Sequence, residues 1–420
     1  MSVRTLHVPG DKSVSHRALM FAALAEGEST LCGLLTAADV QSTAAALRAL
    51  GCRVPELHAD TPVSVRGVGL RGLRSPAAVI DCGNSGTTAR LLLGILAGSR
   101  IDAELTGDES LRARPMARVT DPLTRMGARF EFLAEPGRLP LRVHGGELES
   151  IQFDSPHASA QVKSALLLAG LVGGVRVTVT EPRLSRDHTE RMLAAQGVNV
   201  RRFDSSDGAG VVLEPAASLQ PLDVHVPGDF SSAAFLLGLG LLREPGTHVA
   251  SVGLNPTRTG MLNVLERMGA RVEASNVREE GGEPLGDLAV QPVHLRATNI
   301  EAAEVPALID EIPILGVLAA RAEGTTRIRG ASELRVKETD RIHALVQNLQ
   351  VLGVAVQEHE DGMDITGTRA PLRGTIRTFG DHRIAMAFGV LGRLPGNDIA
   401  IDDPGCVQVS FPGFWDVTAA

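Results

Sequence analysis

The chain of 420 residues has no tyrosine, a single tryptophan and only 3% aromatic residues. Proteins that bind single-stranded nucleic acids by base stacking need aromatic side chains, and a net charge of -8 provides no general surface for a polyanion. We therefore expect no nucleic-acid partner. Any binding of anions has to depend on local groups of cationic side chains.

Cysteines and long apolar runs are also scarce. The four cysteines are far apart and form no C-x-x-C pair, which argues against a disulfide framework or a zinc site. The twelve histidines show no metal-ligand spacing either. No run reaches the roughly 18 apolar residues of a membrane span, and the first residues contain no apolar signal-peptide region. These features predict a soluble cytoplasmic protein without membrane contact.

Two patterns of an apolar helix, a glycine and an extended run recur along the chain. The first, at spacings of 70 to 84 residues, has its glycines at Gly51, Gly127, Gly197, Gly269 and Gly353. The second is out of phase with the first and has its glycines at Gly27, Gly98, Gly174, Gly246, Gly324 and Gly396. Each glycine is expected at a helix end, where a positive φ favours glycine. The spacing predicts six copies of one unit, each with two helices and several strands, that pack on one another.

A shorter repeat indicates how the six units are divided. Val226–Ser232 repeats the V-P-G-D-x-S pattern of Val8–Ser13, and an apolar helix follows each copy. The second copy lies between the third and fourth units, which predicts two domains of three units. One domain is expected over residues 11–227, and the other is expected to combine residues 1–10 with 228–420. Two adjacent chain crossings, near Gly10 and Gly228, would form a hinge.

Five stretches share one design, in which cations or small donors precede or begin an apolar helix. They are Val8–Arg17, Gly83–Arg90, Gly107–Met116 (with a helix expected from Pro115), Ser155–Ser164 and Phe379–Met386. Helix N-termini present free N–H groups and a positive dipole end, and both favour anions. A capped turn would explain any one stretch alone. Agreement among five predicts a cleft between the domains that binds small, multiply anionic ligands.

The second half of the chain contains the candidate acid–base residues. Asp310 precedes a helix predicted over residues 314–322, where helix capping is an equally ordinary role. Glu333–Ile342 contains three cations and three carboxylates. Lys337 and Arg341 are four residues apart and are predicted to share a helical face, as they also would on a salt-bridged surface helix. The residues therefore predict either an enzyme that uses acid–base groups and charge clamps or a binding protein without catalysis.

Seven features in fixed order resemble the 5-enolpyruvylshikimate-3-phosphate synthase family: PGDKSVSHR, GNSGTTAR, GDESLRARPM, SAQVKSALL, Asp310, RVKETDR and GDHR. The resemblance implies an α/β (α+β) fold of two domains, each with three βαβαββ units around buried helices, and an active site in the interdomain cleft. It implies transfer of the enolpyruvyl group of phosphoenolpyruvate to the 5-hydroxyl of shikimate 3-phosphate in chorismate and aromatic amino acid biosynthesis. It also implies a glyphosate target that needs no metal or organic cofactor. We expect a monomer.

The resemblance assigns roles by motif position. The residues implied to bind shikimate 3-phosphate are Lys12, Ser13, Arg17, Ser159, Ala160, Gln161, Ser185, Asp310 and Lys337. The residues implied to bind phosphoenolpyruvate are Lys12, Gly86, Arg114, Gln161, Arg341 and Arg383. Three residues are implied to be catalytic, namely Asp310, Glu338 and Lys12. Asp310 is implied to be the base near the 5-hydroxyl. Glu338 is implied to transfer protons at the methylene, where Lys337 assists it.

Some positions depart from the pattern of part of the family. Val409 stands where some relatives have a lysine that contacts phosphoenolpyruvate, so that charge is missing or is supplied by another residue. His188 replaces an aromatic residue and Glu333 an asparagine. The segments 159–161 and 185–188 resemble a subgroup that is often tolerant to glyphosate, whereas Gly86 leaves room for that inhibitor. Glyphosate sensitivity therefore stays open.

The main alternative enzyme is the transferase of the same fold that moves enolpyruvyl to UDP-N-acetylglucosamine. The pattern of that family has Lys-Asn in the first motif and a reactive cysteine in a loop. This chain has Lys12 followed by Ser13, and no cysteine lies near Arg114. The shikimate 3-phosphate reaction is therefore the favoured prediction.

Overall fold

The computed structural model describes residues 4–205 and 208–419, so the first three residues of the predicted segment 1–10 lie outside it. Its α-helices are α1 (Lys12–Leu24), α2 (Ala38–Ala49), α3 (Gly86–Gly98), α4 (Glu109–Ala113), α5 (Ala117–Arg125), α6 (Ala160–Gly173), α7 (His188–Ala195), α8 (Phe230–Leu242), α9 (Gly260–Arg267), α10 (Ile312–Ala319), α11 (Arg341–Val351), α12 (His382–Gly392) and α13 (Phe414–Ala419). Short 3₁₀ helices span Val305–Ala307, Ile309–Glu311, Ser332–Val336 and Pro404–Val409. None of the helices described is long and apolar enough to cross a membrane.

The strands alternate with these helices. They are β1 (Thr5–Leu6), β2 (Glu28–Cys32), β3 (Val63–Arg66), β4 (Ile80–Asp81), β5 (Asp102–Thr106), β6 (Arg129–Phe132), β7 (Leu141–His144), β8 (Ile151–Asp154), β9 (Val177–Glu181), β10 (Val200–Ser205), β11 (Gly208–Leu213), β12 (Val224–His225), β13 (Thr247–Gly253), β14 (Glu273–Glu280), β15 (Glu283–Val290), β16 (Asn299–Ile300), β17 (Thr325–Ile328), β18 (Ala355–His359), β19 (Gly362–Thr366), β20 (Arg373–Ile376) and β21 (Asp398–Ile401).

These strands form six sheets, one for each predicted repeat. In the second repeat, β4 pairs in parallel with β5 across α3, β5 is antiparallel to β7, and β7 is antiparallel to β6. The third and fifth repeats have the same order, β8-β9-β11-β10 and β16-β17-β19-β18. The predicted βαβαββ unit is therefore confirmed. The sixth repeat is shorter, since only β20 and β21 pair there.

The first and fourth repeats take their leading strand from a distant part of the chain. β1 pairs in parallel with β13, with Thr5 opposite His248. β12 pairs in parallel with β2, with Val224 opposite Leu31. The chain therefore does not complete its first sheet until it reaches residue 224.

The chain divides into two compact units. The first unit comprises Gly10–Val226 and Glu279–Glu283, and the second comprises Met1–Pro9, Pro227–Arg278 and Pro284–Ala420. The repeats did not predict that Glu279–Glu283, at the turn between β14 and β15, belongs with the first unit. There the His188 ring nitrogen Nδ1 lies 2.8 Å from Glu283 Oε1, and both side chains are buried.

Apolar helices form the core of each unit. In the first unit α3 packs directly on α6, because a Cβ at Gly94 would lie only 2.1 Å from the carbonyl oxygen of Ala165. Apolar side chains fill the remaining surface of both helices, and burying each leucine contributes about 1.5–3 kcal/mol. Such helices have no polar face, so their polar residues are confined to their N-terminal turns.

Of the eleven glycines that the repeats placed at helix ends, six cap a helix or directly follow its C-cap, whereas Gly27, Gly246, Gly324 and Gly396 lie in the turn before the next strand. Ten of the eleven have positive φ angles. The exception is Gly98, which is the last residue of α3 and is followed by Ser99 in an extended conformation. At the first chain crossing, glycine is needed for a different reason. A Cβ at Gly10 would lie 1.9 Å from the carbonyl oxygen of Gly33, so close backbone contact excludes any larger residue.

Candidate active site

The start of α1 contains a buried arginine. Arg17 is only 3% exposed, and it donates to the hydroxyls of Thr189 and Ser164, each at 2.8 Å, and to the carbonyl oxygen of Ser13 at 2.9 Å. All three acceptors are uncharged. Burial lowers the pKa of Arg17 to about 10, so the side chain remains charged at neutral pH. A buried cation with neutral partners is a suitable group for binding an anion.

Lys12 is the first residue of α1. The carboxylate of Asp11 caps this helix by accepting from the backbone N–H of Val14 at 2.9 Å. Lys12 Nζ lies 3.0 Å from Asp39 Oδ2, and both side chains are partly exposed. The ammonium group is therefore held at the helix start and is still accessible from solvent.

The start of α3 brings together three of the predicted residues. Ser85 caps this helix, and Gly86 follows it. Arg114 donates to Asn84 Oδ1 at 2.8 Å, and a Cβ at Gly86 would lie 3.5 Å from Arg114 Nη1. Gln161, on α6, reaches the same region and donates to Thr87 Oγ1 at 3.2 Å.

Sequence reasoning gave no role to Arg90, which the structure places in this cluster. Its Nη1 donates to Gln161 Oε1 at 2.7 Å, and a Cβ at Gly86 would lie 2.8 Å from that nitrogen. Burial, followed by the charges of Arg114 and Arg118, lowers the pKa of Arg90 to about 10. Its position four residues after Gly86, one helical turn along α3, was the signal that could have revealed it.

Ser159 and Ala160 stand at the start of α6, where Ser159 is the N-cap. Ser185 follows β9, and its N–H and hydroxyl both donate to Glu181 Oε1, at 2.8 and 2.9 Å. The same oxygen lies 2.7 Å from Lys163 Nζ, on α6. The buried ion pair of Lys163 and Glu181 therefore fixes the segment that carries Ser185. Its role was not predicted from the sequence.

Lys163 also lies 2.9 Å from Glu190 Oε1. All three charged side chains, Lys163, Glu181 and Glu190, are at most 3% exposed. Burial alone would lower the pKa of Lys163, but the charges of Glu190 and Glu181 outweigh burial and raise it. This buried ion cluster therefore remains charged and joins α6, α7 and the end of β9.

In the second unit, Arg341 connects three carboxylates. It is 1% exposed and donates to Asp381 at 2.7 Å, to Glu338 at 2.6 Å and to Asp310 at 3.4 Å. Burial alone would lower the pKa of Arg341, but these three charges raise it. The structure thus brings together Asp310, Glu338 and Arg341, three of the residues named in the sequence analysis.

Asp310 receives two further arginines. Arg383 Nη1 donates to the Asp310 carbonyl oxygen at 3.0 Å, and Arg258 Nη1 lies 3.5 Å from Asp310 Oδ2. Sequence reasoning missed Arg258, which precedes α9 without a recognisable motif. Three arginines, from the segment before α9, from α11 and from α12, therefore surround Asp310.

Two helix predictions in this unit were wrong. The helix expected over 314–322 is α10, Ile312–Ala319, and Asp310 lies before it in the 3₁₀ helix Ile309–Glu311. Lys337 and Arg341 do not share a helix. Asp340 caps α11 by accepting from the N–H of His343 at 3.0 Å, so the helix begins at Arg341 and leaves Lys337 in extended backbone.

A third boundary was wrong in the first unit. The helix expected from Pro115 begins at Ala117, and Arg114, the C-cap of the short helix α4, lies three residues ahead of it. Val409, at the end of the 3₁₀ helix Pro404–Val409, is 43% exposed. In the part of the chain that the structure describes, no three His, Cys, Asp or Glu side chains form a group that could hold a metal ion.

A model of the EPSP synthase (3-phosphoshikimate 1-carboxyvinyltransferase) family matches residues 3–418. The chain belongs to the EPSP synthase family. Among its relatives, the 3-phosphoshikimate 1-carboxyvinyltransferase of Citrifermentans bemidjiense is 48% identical over 97% of this chain and 94% of that protein. The Bacillus licheniformis protein of the same name is 48% identical over 98% of this chain and 95% of that protein.

Solved structures agree with this assignment. The EPSP synthase of Acinetobacter baumannii superimposes with a TM-score of 0.89 at 41% identity, covering 99% of this chain and 95% of that one. The enolpyruvyl transferase NikO of Streptomyces tendae has a TM-score of 0.79 at 18% identity, which is a likeness of fold alone. The predicted family, its α/β fold and its transferase class are confirmed, and the family match decides against the UDP-N-acetylglucosamine alternative.

Proposed function

We propose that the chain transfers the enolpyruvyl group of phosphoenolpyruvate to the 5-hydroxyl of shikimate 3-phosphate, with release of phosphate. The observation that carries this proposal is the pair Arg17 and Arg90. Arg17 is buried and Arg90 is partly buried, and their acceptors among the described residues are uncharged. Burying an unpaired cation costs free energy that an anionic ligand recovers, and both reactants carry a phosphate and a carboxylate.

The proposed roles follow the helix starts. Shikimate 3-phosphate is bound by Lys12, Ser13, Arg17, Ser159, Ala160, Gln161, Ser185, Asp310 and Lys337. Phosphoenolpyruvate is bound by Lys12, Gly86, Arg114, Gln161, Arg341 and Arg383. Residues of both units then act on the same two reactants, and the cleft between the domains stays a prediction.

The proposed chemistry has two stages. In the first, Asp310 accepts the proton of the 5-hydroxyl as its oxygen bonds to C2 of phosphoenolpyruvate, and the methylene carbon is protonated with Glu338 and Lys337 as the proton-transfer groups. In the second, the C2–O bond to phosphate breaks, phosphate leaves, and the methyl group returns one proton to the Glu338 and Lys337 pair, which forms the carbon–carbon double bond of the product enol ether. Arg341, which contacts both Asp310 and Glu338, holds these two carboxylates beside the reacting carbons.

We also propose that the enzyme is a cytoplasmic monomer that needs no cofactor. Cys32, Cys52, Cys82 and Cys406 are free thiols, which supports a reducing compartment. Light scattering coupled to size-exclusion chromatography tests the oligomeric state, with a mass near 44.2 kDa expected. Full activity after treatment with EDTA would support the absence of a metal requirement.

The test of the function is phosphate release from phosphoenolpyruvate with two acceptors in parallel. We expect release with shikimate 3-phosphate and none with UDP-N-acetylglucosamine. Release with the second acceptor alone would show that the fold was assigned correctly and the acceptor wrongly. No phosphate release with either acceptor would support an anion-binding protein without catalysis.

A further inference from the structure

A second carboxylate lies beside Asp310 and has no part in the reaction described above. Glu311, the next residue of the same 3₁₀ helix, is 1% exposed. Its Oε1 contacts the hydroxyl of Ser231, at the start of α8, and its Oε2 is buried without a hydrogen-bond partner among the described residues. The nearest cation, Arg258, lies 4.0 Å away.

This environment suits a neutral carboxylic acid better than a carboxylate. A buried carboxylate is normally stabilised by two or three donors or by a hydrogen-bonded cation. Glu311 has one hydroxyl contact, and Arg258 Nη2 donates to Ser231 Oγ at 2.8 Å instead of to Glu311. Burial raises the pKa of Glu311, Arg258 lowers it and Asp310 raises it again.

The charges around the adjacent Asp310 lead to the same conclusion. Arg258, Arg341 and Arg383 approach from the segment before α9, from α11 and from α12. Three carboxylates balance them, namely Asp310, Glu338 and Asp381. An ionised Glu311 would add a negative charge at a buried position, where no hydrogen-bonded cation among the described residues compensates it.

We propose that Glu311 is protonated in the working enzyme and is a positioning residue for Asp310, an inference that rests on the proposed function. While Glu311 is neutral, Arg258 is directed to Asp310 and keeps that carboxylate ionised as a base. When Glu311 loses its proton at high pH, Arg258 is drawn toward the new charge. Asp310 then loses a partner, and turnover falls.

The first test is direct detection of the proton. Infrared difference spectra of the full-length protein in ²H₂O should show a protonated carboxyl band in the wild type that is absent from Glu311→Gln. The band should remain in Asp310→Asn, which changes the neighbouring carboxyl. A wild-type spectrum without a band assignable to Glu311 overturns the proposal, and so does loss of the band in Asp310→Asn alone.

The second test is the pH dependence of kcat for phosphate release, measured with saturating substrates. The alkaline limb should move upward by at least one pH unit in Glu311→Gln, because glutamine cannot lose a proton. The matched control is Glu304→Gln, which removes a partly exposed carboxylate that is paired with Arg267 and should leave the limb in place. A limb unchanged in Glu311→Gln, or moved equally in the control, overturns the positioning role.

Should Glu311→Gln fail to fold, the wild type itself still tests the proposal. The midpoint at which the carboxyl band disappears with rising pH should coincide with the midpoint of the alkaline limb. Midpoints more than one pH unit apart contradict the proposal. Failure of the wild type to release phosphate would instead remove the proposed function, while the infrared measurement would still report the protonation state of Glu311.

Discussion

At the scale of single residues, Gly86 shows how little space there is in the site proposed for phosphoenolpyruvate. Its missing Cβ would lie 2.8 Å from Arg90 Nη1 and 3.5 Å from Arg114 Nη1. A methyl group there has to displace the Arg90 guanidinium, which α6 also contacts through Gln161. The glycine is therefore needed for the position of two cations, whatever backbone conformation it adopts.

We expect Gly86→Ala to raise KM for phosphoenolpyruvate by about tenfold, the loss of roughly one charged hydrogen bond, with a smaller change in KM for shikimate 3-phosphate. Steady-state kinetics with each substrate varied in turn checks this split. Gly146→Ala is the matched control, because a Cβ at Gly146 meets no atom within 4 Å. Equal effects on both KM values would contradict the assignment of Gly86 to phosphoenolpyruvate.

Asp310→Asn is expected to reduce kcat by a factor of 10² or more, as for a general base, and to preserve binding of shikimate 3-phosphate. Single-turnover phosphate release and calorimetric titration measure the two effects separately. Asp398→Asn, on the exposed start of β21, serves as the control. A turnover equal to that of the wild type would remove Asp310 from the mechanism.

Motifs could predict the charged residues of the site, but not the partners that hold them. Gly86 and Arg114 lie in stretches where a turn, small donors and a helix start are adjacent in sequence. Arg258 and Glu311 have no such local signal. Their contacts depend on α8 and on the segment before α9, which approach Asp310 only when the second unit is folded.

At the scale of elements, the buried ion cluster connects α6 and α7. Lys163→Met should lower the free energy of unfolding by about 3–5 kcal/mol, because Glu181 and Glu190 would stay buried without their cation. Urea denaturation measures this loss. Arg100→Met breaks an ion pair whose two side chains are 79% and 85% exposed and should change stability little. Similar losses in both variants would mean that the buried cluster contributes no more than a surface pair.

The packing of α1 against α2 contains a titratable group. His16 is fully buried and lies 2.7 Å from Thr43 Oγ1, and burial lowers its pKa from 6.5 to about 3. Between these values the unfolded chain binds a proton that the folded chain does not. Stability should therefore fall as pH decreases through this window, by about 1.4 kcal/mol per pH unit from His16.

Denaturation of the wild type and of His16→Gln between pH 7 and 4.5 isolates this contribution. Only the wild type should show the part of the fall in unfolding free energy that comes from His16. The exposed residue His58, replaced by glutamine, is the control and should keep the wild-type slope. Parallel curves for the wild type and His16→Gln would mean that His16 is protonated in the folded state.

Element types were easier to predict than element boundaries. The glycine pattern predicted the six repeats because ten of its eleven glycines adopt positive φ angles, which favour glycine by backbone preference. The start of α11 was misplaced because the capping carboxylate of Asp340 competes with continuation of a helix through Lys337. Both outcomes have the same charge pattern in the sequence, and the three-dimensional position of Arg341 among its carboxylates decides between them.

At the scale of the whole molecule, the two chain crossings predict a hinge. We expect shikimate 3-phosphate with glyphosate to reduce the radius of gyration, because the proposed function assigns residues of both units to the same ligands. Small-angle X-ray scattering with and without the ligands measures the change, and shikimate 3-phosphate alone provides the comparison. Superimposable curves under all three conditions would argue against closure.

The pairing of β1 with β13 also sets an order for folding during synthesis. The partner strand of Thr5–Leu6, Thr247–Gly253, is translated more than 240 residues later. The sheet of the first repeat, by contrast, is complete once Val224–His225 has emerged. Thr5–Leu6 therefore stays without its partner strand while the residues of the first unit are translated, and it pairs only when the second unit begins to form.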